Sequence, residues 1–533
     1  MLTRHLKCFI MFMALILFTF ACNNQPQEKK VEVKEVPSVT TLVSVTGGKI
    51  EGVEKDGIFS YKGIPFAAPP VGALRWKSPQ PVVPWQGIRK ADKFAPGPMQ
   101  DTAFGAMLGG PQEVSEDCLY LNVWTGAVKV DEMKPVMVWI YGGGFGIGMT
   151  SSPAYDGAKL AEKGVVLVSV AYRVGPLGFL AHPELSAESG HGSGNYGIQD
   201  QIAGLKWVRD NIAKFGGDPQ NVTIFGESAG GISVGFLAAS PMAKGLFQRA
   251  ISESGGAMGP LRMTLQQAEE QGKEYLQNLG ANTISEARAL SAEEIQKNTK
   301  GMGDFWPVAD GLTIVNDQYD AYKEGKFNDT PILVGTNSNE GGLFVSQPVT
   351  SAGFEKMVRT QYSLGADEIL KVYPHATDEE ATQSAKDLMR DSIFAWPTWA
   401  WATLQSRYGK HKAYVYYFDY NAPGTTGGAN HAAEIPYVFG NLGTPGPMNG
   451  RPPTPQDEAL SDLIGNYWVH FATYGDPNDV NLPMWPAFNE KEQEVMYFDA
   501  NPGAREFPNL DKIMAFDAYF AKVRDGEKRM SQP

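Results

Sequence analysis

Ser228 is where a chemical reading of this sequence starts. It lies in Gly226-Glu227-Ser228-Ala229-Gly230, after β-branched and aromatic residues (221–225) and before a helix-like run. A serine at the apex of such a strand–turn–helix exposes its hydroxyl at a helix N-terminus, where backbone N–H groups favour negative charge. The flanking glycines have a mechanical reason: side chains at Gly226 and Gly230 would collide with the neighbouring strand and helix. A hydroxyl so placed can attack a carbonyl carbon. The tetrahedral intermediate then carries an oxyanion, which needs N–H donors free of obstructing side chains. The run Tyr141-Gly142-Gly143-Gly144-Phe145 ends an apolar segment and supplies them. Gly143 and Gly144 are assigned to the oxyanion hole, with the N–H of Ala229.

A serine hydroxyl needs a base of near-neutral pKa, which means histidine. Beyond the N-terminal leader these are His182, His191, His375, His411, His431 and His470. After a G-x-S-x-G serine the expected order is serine, acid, histidine, which leaves the last four. His431 is preferred, because its glycine-rich loop (424–440) follows the apolar run 414–420 and can deliver an imidazole to a sheet edge. His411 begins a strand, His375 sits in a polar turn, and His470 lies inside a helical run. The acid must fall between Ser228 and His431 and follow a strand. Glu340 does so, in a turn after the apolar run 331–336, where it would hold the imidazole tautomer and stabilise the imidazolium. Asp310 is a rival that reads better as a turn residue. Glu434, three residues past His431, reads as a neighbour supporting the triad.

These residues must be positioned by a sheet. Five nearly continuous apolar runs (135–141, 164–174, 221–227, 331–337 and 414–420) alternate with long helical stretches such as 196–217. Strands buried on both faces and separated by helices predict a large, mostly parallel central sheet with helices on both faces. Residues 43–67 predict a small antiparallel hairpin region. The charged, Gln/Glu-rich stretch 260–300 predicts inserted cap helices, read as a surface helix pair. No internal repeat is present.

The chain has 533 residues, 43% of them hydrophobic, ample for a large core. Its formal charge is −13, which argues against nucleic acid and anionic membrane surfaces as partners. Basic Arg4, His5 and Lys7 precede an apolar run (9–21) too short for a typical membrane span, and Cys22 then opens a polar stretch. This predicts a signal peptide of lipoprotein type over 1–21, with Cys22 lipidated after cleavage, then a flexible tether over 22–41 and a single catalytic domain over 42–533. The expectation is an exported protein, held to a membrane through the lipid anchor and facing the periplasm or cell exterior, or otherwise secreted. Of the three cysteines, Cys8 lies in the leader and Cys22 takes the lipid, so Cys118 has no partner and no disulfide framework is expected.

Several long blocks, in order, resemble the type-B carboxylesterase family, which includes bacterial p-nitrobenzyl-type esterases and the cholinesterases. They include SEDCLYLNVW (115–124), WIYGGGF (139–145), AYRVGPLGFL (171–180), FGGDPQNVTIFGESAGG (215–231), FWPVADG (305–311), GTNSNEGG (335–342) and HAAEIPYVFG (431–440). The resemblance runs from about residue 43 to 516. It implies the α/β-hydrolase fold and ester hydrolysis without cofactor or metal, on small-molecule esters. It carries the family's catalytic serine, glutamate and histidine onto Ser228, Glu340 and His431, and its oxyanion donors onto Gly143, Gly144 and Ala229. It also implies that Ser254 supports the triad and that Glu227 is the acidic residue beside the nucleophile. Three departures matter. Pro98 stands where the family has the cysteine that pairs with Cys118, so that bridge is missing. No tryptophan lies between Pro98 and Cys118, which argues against a cholinesterase. Tyr141 stands where many esterases have histidine.

An active serine esterase is therefore the leading reading. A non-catalytic adhesion or binding protein on the same fold is the alternative from another class, and a lipase or polyester hydrolase differs only in the pocket. For that pocket the sequence offers Phe145, Phe305 and Trp306, which read equally well as core residues.

Overall fold

The computed structural model describes residues 36–102, 113–299, 302–445 and 450–530, with side chains described up to 526. The expected signal peptide and Cys22 lie outside them. The folded unit begins at Ser38: Ser38 bridges Lys129, and buried Val39 donates its N–H to Val128 O. Residues 38–41 thus belong to the domain, four residues earlier than the expected boundary, because Val39 has apolar contacts to gain.

The apolar runs become strands of an eleven-stranded sheet. Its antiparallel edge is β1 (Val53–Lys55), β2 (Ile58–Pro65) and β3 (Tyr120–Thr125). The parallel centre comprises β4 (Lys134–Ile140), β5 (Val166–Val170), β6 (Gly217–Glu227), β7 (Arg249–Glu253), β8 (Ile332–Asn337), β9 (Ala413–Phe418) and β10 (Glu494–Phe498). An antiparallel β11 (Gly503–Glu506) closes on β10. The spatial order is β1-β2-β3-β5-β4-β6-β7-β8-β9-β10-β11. The chain leaves β4 for β5 on one side and returns to place β6 on the other. The carboxyl ends of β4 and β6 thus flank the point where strand order reverses, where open α/β sheets bind ligands. The expected hairpin region divides: Leu42–Val45 and Gly48–Glu51 pair antiparallel in a separate small sheet, while 58–65 joins the main sheet as β2.

Helices cover the sheet. Before β6 comes α1 (Tyr196–Asn211), and after Ser228 comes α2 (Ala229–Ala239). The inserted stretch holds three helices rather than a pair: α3 (Leu265–Asn278), α4 (Ile284–Ala289) and α5 (Ala292–Gln296). Each opens with a reciprocal capping box, from Thr264, Thr283 and Ser291, and these caps cut the stretch into short pieces. Arg75 ties it down, donating Nη1 to the carbonyls of Ala287 (3.1 Å) and Leu290 (2.8 Å). Further on are α6 (Trp396–Tyr408), α7 (Pro455–Tyr474) and α8 (Leu510–Met530). Cys118 is buried and free. No described helix is long and apolar enough to cross a membrane.

Candidate active site

Three backbones meet at Ser228. In the sheet register Gly226 lies beside Ile140. A Cβ on Gly230 would stand 2.0 Å from Ile140 O, and one on Gly226 would stand 2.6 Å from the Gly230 carbonyl carbon. Only glycine lets α2 start this close to β4. The turn throws Ser228 into φ 56°, ψ −123°, outside the usual regions for a side-chain-bearing residue, and its N–H is held by Glu253 O at 2.9 Å. Ser228 stays half-buried, and its hydroxyl makes no hydrogen bond among the described residues.

The glycine run leaves β4 with Gly143 at φ +111° and Gly144 at φ +58°. The loop is locked from behind: the Gly143 carbonyl accepts from the amides of Gly146 and Ile147, both at 3.1 Å. The N–H groups of Gly143, Gly144 and Ala229 have no acceptor among the described residues. Tyr141, which replaces the family's usual histidine, is locked to Tyr172: each hydroxyl bonds the other's backbone carbonyl at 2.8 Å and the rings stack at 4.3 Å.

His431 and Glu340, the expected base and acid, lie in loops after β9 and β8. Glu340 Oε2 lies 2.6 Å from His431 Nδ1. Its other oxygen accepts from Ser254 Oγ (2.6 Å) and the Asn337 N–H (2.7 Å), so the carboxylate cannot rotate without losing bonds. The two loops are stitched together by Asn339 N–H to Ala429 O, Ala429 N–H to Ser338 Oγ, and Asn339 Nδ2 to Asn430 Oδ1. Asn337 Nδ2 adds bonds to Asn430 O (2.9 Å) and Glu434 Oε2 (2.5 Å). Of the rejected residues, Asp310 is a turn carboxylate, accepting from the amides of Leu312, Thr313 and Ile314. His470 sits in α7 with Nδ1 on Asp476 O.

One imidazole serves several buried carboxyl groups. His431 Nε2 lies 3.1 Å from Glu227 Oε1, so the ring bridges Glu227 and Glu340. Burial alone would lower the His431 pKa, but these two carboxylates, with Glu434, outweigh it and raise it to about 9. Burial in turn pushes Glu227, Glu253 and Glu434 up, so the cluster shares protons rather than carrying every charge. Glu253 Oε1 accepts from Trp468 Nε1 at 2.8 Å, while its Oε2 and Glu434 Oε1 have no hydrogen-bond partner among the described residues.

Of the aromatics offered for the pocket, Phe145 and Phe305 are buried. Phe145 meets Phe179 and Trp306 edge-on, and Phe305 meets Tyr275. Trp306 keeps some exposure and carries the Arg262 guanidinium on its face. Sequence reasoning missed Asn337, Glu253 and Tyr172. Asn337 had a local signal, three residues before Glu340 in the same turn. The others act through partners far along the chain.

The model of the Carboxylesterase family matches residues 39–515. The chain is 39% identical to the fumonisin B1 esterase of Sphingopyxis macrogoltabida, over 86% of each chain. It is 36% identical to the para-nitrobenzyl esterase of Bacillus subtilis, over 88% of this chain and 97% of that one. A solved para-nitrobenzyl esterase superposes with a TM-score of 0.79 at 35% identity, covering 89% of this chain and 99% of the other. A Geobacillus stearothermophilus carboxylesterase gives 0.79 at 33% identity, covering 89% and 100%.

Proposed function

The chain belongs to the carboxylesterase family and is an ester hydrolase, and on that premise we propose that it works through Ser228, His431 and Glu340 and a covalent acyl-enzyme. Ser228 Oγ attacks the ester carbonyl carbon as its proton passes to His431 Nε2. The oxyanion takes hydrogen bonds from the free N–H groups of Gly143, Gly144 and Ala229. The C–O bond breaks, His431 returns the proton to the departing alkoxide, and the acyl group stays on Ser228. Water, deprotonated by the same nitrogen, then releases the carboxylic acid and restores the serine. For the first step Nε2 turns from Glu227 toward Ser228, as catalytic contacts do when substrate closes a free site. The observation that carries this reading is the 2.6 Å Glu340–His431 pair, on loops that end beside a strained serine and three unused amides.

The test is hydrolysis of p-nitrophenyl esters from acetate to palmitate by the purified protein and its Ser228→Ala variant. Activity on short chains, lost by about 10⁴-fold or more in the variant, supports the mechanism. A folded parent inert on every ester would leave the binding-protein alternative in its place. From the sequence of the leader, we also propose export with a lipid on Cys22. Incorporation of labelled fatty acid that disappears in Cys22→Ser supports this, and its absence from the parent counts against it.

A further inference from the structure

A row of polar side chains crosses the sheet behind His431. Register sets it: Glu227 on β6 lies beside Glu253 on β7, Glu253 beside Gly335 on β8, and Gly335 beside Tyr416 on β9. Residues paired in this way share one face of a sheet. Gly335 leaves room there, since a Cβ on it would stand 2.2 Å from Tyr416 Cδ1. The Tyr416 ring therefore leans over β8, the strand next to Glu253. Trp468 of α7 ties the row together, packing on Tyr416 at 5.4 Å and donating Nε1 to Glu253 Oε1 at 2.8 Å. Asn337, two residues past Gly335 and so on the same face, holds Glu434 Oε2 through its Nδ2.

Every member of the row is buried, and donors are short. Glu253 Oε2, Glu434 Oε1 and Tyr416 Oη have no hydrogen-bond partner among the described residues. Two orphaned carboxylate acceptors in an interior are costly. His431 pairs with Glu227 and Glu340, and among the described residues no ion pair reaches Glu253 or Glu434. One proton remedies this: placed on Glu253 Oε2, it turns one orphaned acceptor into a donor for the other. Glu253 is the member to carry it. Glu227 faces His431 Nε2 at 3.1 Å and Glu434 accepts from Asn337, partners that favour their charged forms. Glu253 has the indole N–H alone, and burial, with Glu434 and Glu227 close by, pushes its carboxyl up. Tyr155, from the 153–155 turn, and Tyr416 also face the cluster, and burial keeps both phenols neutral.

We propose that Glu253 is a positioning residue of the esterase: a carboxylic acid that stays protonated during turnover and shares its proton with Glu434. Glu434, so held, stays charged and fixes the Asn337 side chain, whose own backbone N–H seats Glu340 against His431. This rests on the esterase reading above and adds to it a group that touches no substrate. The covalent steps are unchanged, and the shared proton never leaves the row.

The test has a spectroscopic and a kinetic arm, on the whole protein and its Glu253→Met and Glu253→Gln variants. The infrared difference between the parent and Glu253→Gln at pH 8 should show the C=O stretch of a protonated carboxylic acid, shifting in D2O. In kinetics on an uncharged p-nitrophenyl ester, Glu253→Met removes the donor, so kcat should fall about tenfold with KM held. Glu434 then takes a proton itself and no longer helps raise the His431 pKa, so the acid limb of the pH profile should fall by about 0.5–1 unit. Glu253→Gln supplies an amide N–H in place of the acid O–H. It should restore kcat to within about threefold of the parent and the limb to within about 0.3 unit. Absence of the infrared band overturns the inference. So does a Glu253→Gln variant as impaired and as shifted as Glu253→Met, because Glu253 would then act by its charge, and so does a Glu253→Met variant that matches the parent. If Glu253→Met does not fold, the band and the Glu253→Gln profile decide. A parent inert on the ester overturns the esterase reading itself, and the positioning role with it, whatever the band shows.

Discussion

Replacing Glu227 by glutamine should move the acid limb of the esterase pH profile downward. His431 must be neutral at Nε2 to accept the serine proton, so activity rises with pH through the His431 pKa, raised to about 9. Glu227, with Oε1 3.1 Å from Nε2, is one of the three carboxylates responsible, beside Glu340 and Glu434. At an effective dielectric of about 20, a full charge at that distance is worth ~5 kcal/mol, or ~4 pK units. Burial drives Glu227 toward its neutral form and the proton is shared, so the realised effect is smaller, about 1–2 units. Glu340 keeps its bond to Nδ1 in the variant, and buried Glu434 and Glu253 remain nearby. The limb should therefore fall by about 1–2 units and not farther. The assay is kcat/KM for an uncharged p-nitrophenyl ester across pH 5–10, with parent and Glu227→Gln shown equally folded by circular dichroism. A limb that stays put or moves up refutes the reasoning, because Glu227 would then carry no charge at Nε2 when the histidine titrates.

Three further predictions follow from single contacts. Gly230→Ala places a methyl 2.0 Å from Ile140 O, between two backbones that cannot yield, and should abolish soluble folded protein or lower Tm by more than about 10 °C. Ser254→Ala removes one of two donors to the inner oxygen of Glu340, so kcat should fall about tenfold with KM held, and Ser254→Thr should restore part of it if the pocket admits the methyl. Asp457 caps α7 and accepts from Arg451 and Tyr437; burial alone would raise its pKa, but these bonds lower it to about 2. A carboxyl depressed on folding stabilises above its unfolded pKa and loses this as pH falls toward 2. Asp457→Asn should therefore lower Tm at pH 7 and match the parent near pH 2.

The sheet was legible because its strands announce themselves: residues 135–141 and 331–337 are apolar without alternation, which only a doubly buried strand requires. The hairpin region was legible as well, since 42–51 and 53–65 each pair antiparallel, but its placing was not. Residues 58–65 look like half of a local hairpin, and only the pairing with β3, some sixty residues later, takes them into the main sheet. The cap read as two helices because its composition is uniform; the capping residues Thr283 and Ser291 were visible but easily passed over. In the site, Ser228 and the glycines declare themselves by local geometry. What escaped were roles defined by a distant partner. Glu253 is a strand residue until α7 brings Trp468 to it. The sequence also pairs Ser228 with His431 directly, whereas the ring here leans on Glu227, a competition of charges invisible in the spacing of residues.

The two halves of the site are fastened differently. The Glu340 and His431 loops share a seam of hydrogen bonds through Asn337, Ser338 and Asn339, whereas among the described residues the segment bearing Trp306 reaches the 142–145 loop through one backbone bond, Gly303 N–H to Gly144 O, with Met302 against Gly144 and Trp306 against Phe145. The two attachments can thus change independently. Drift or selection can vary the 302–306 segment while the seam that holds Glu340 against His431 stays in register. For the engineer, a library placed at 337–340 breaks the bonds that seat Glu340 on His431 and samples mostly broken enzymes.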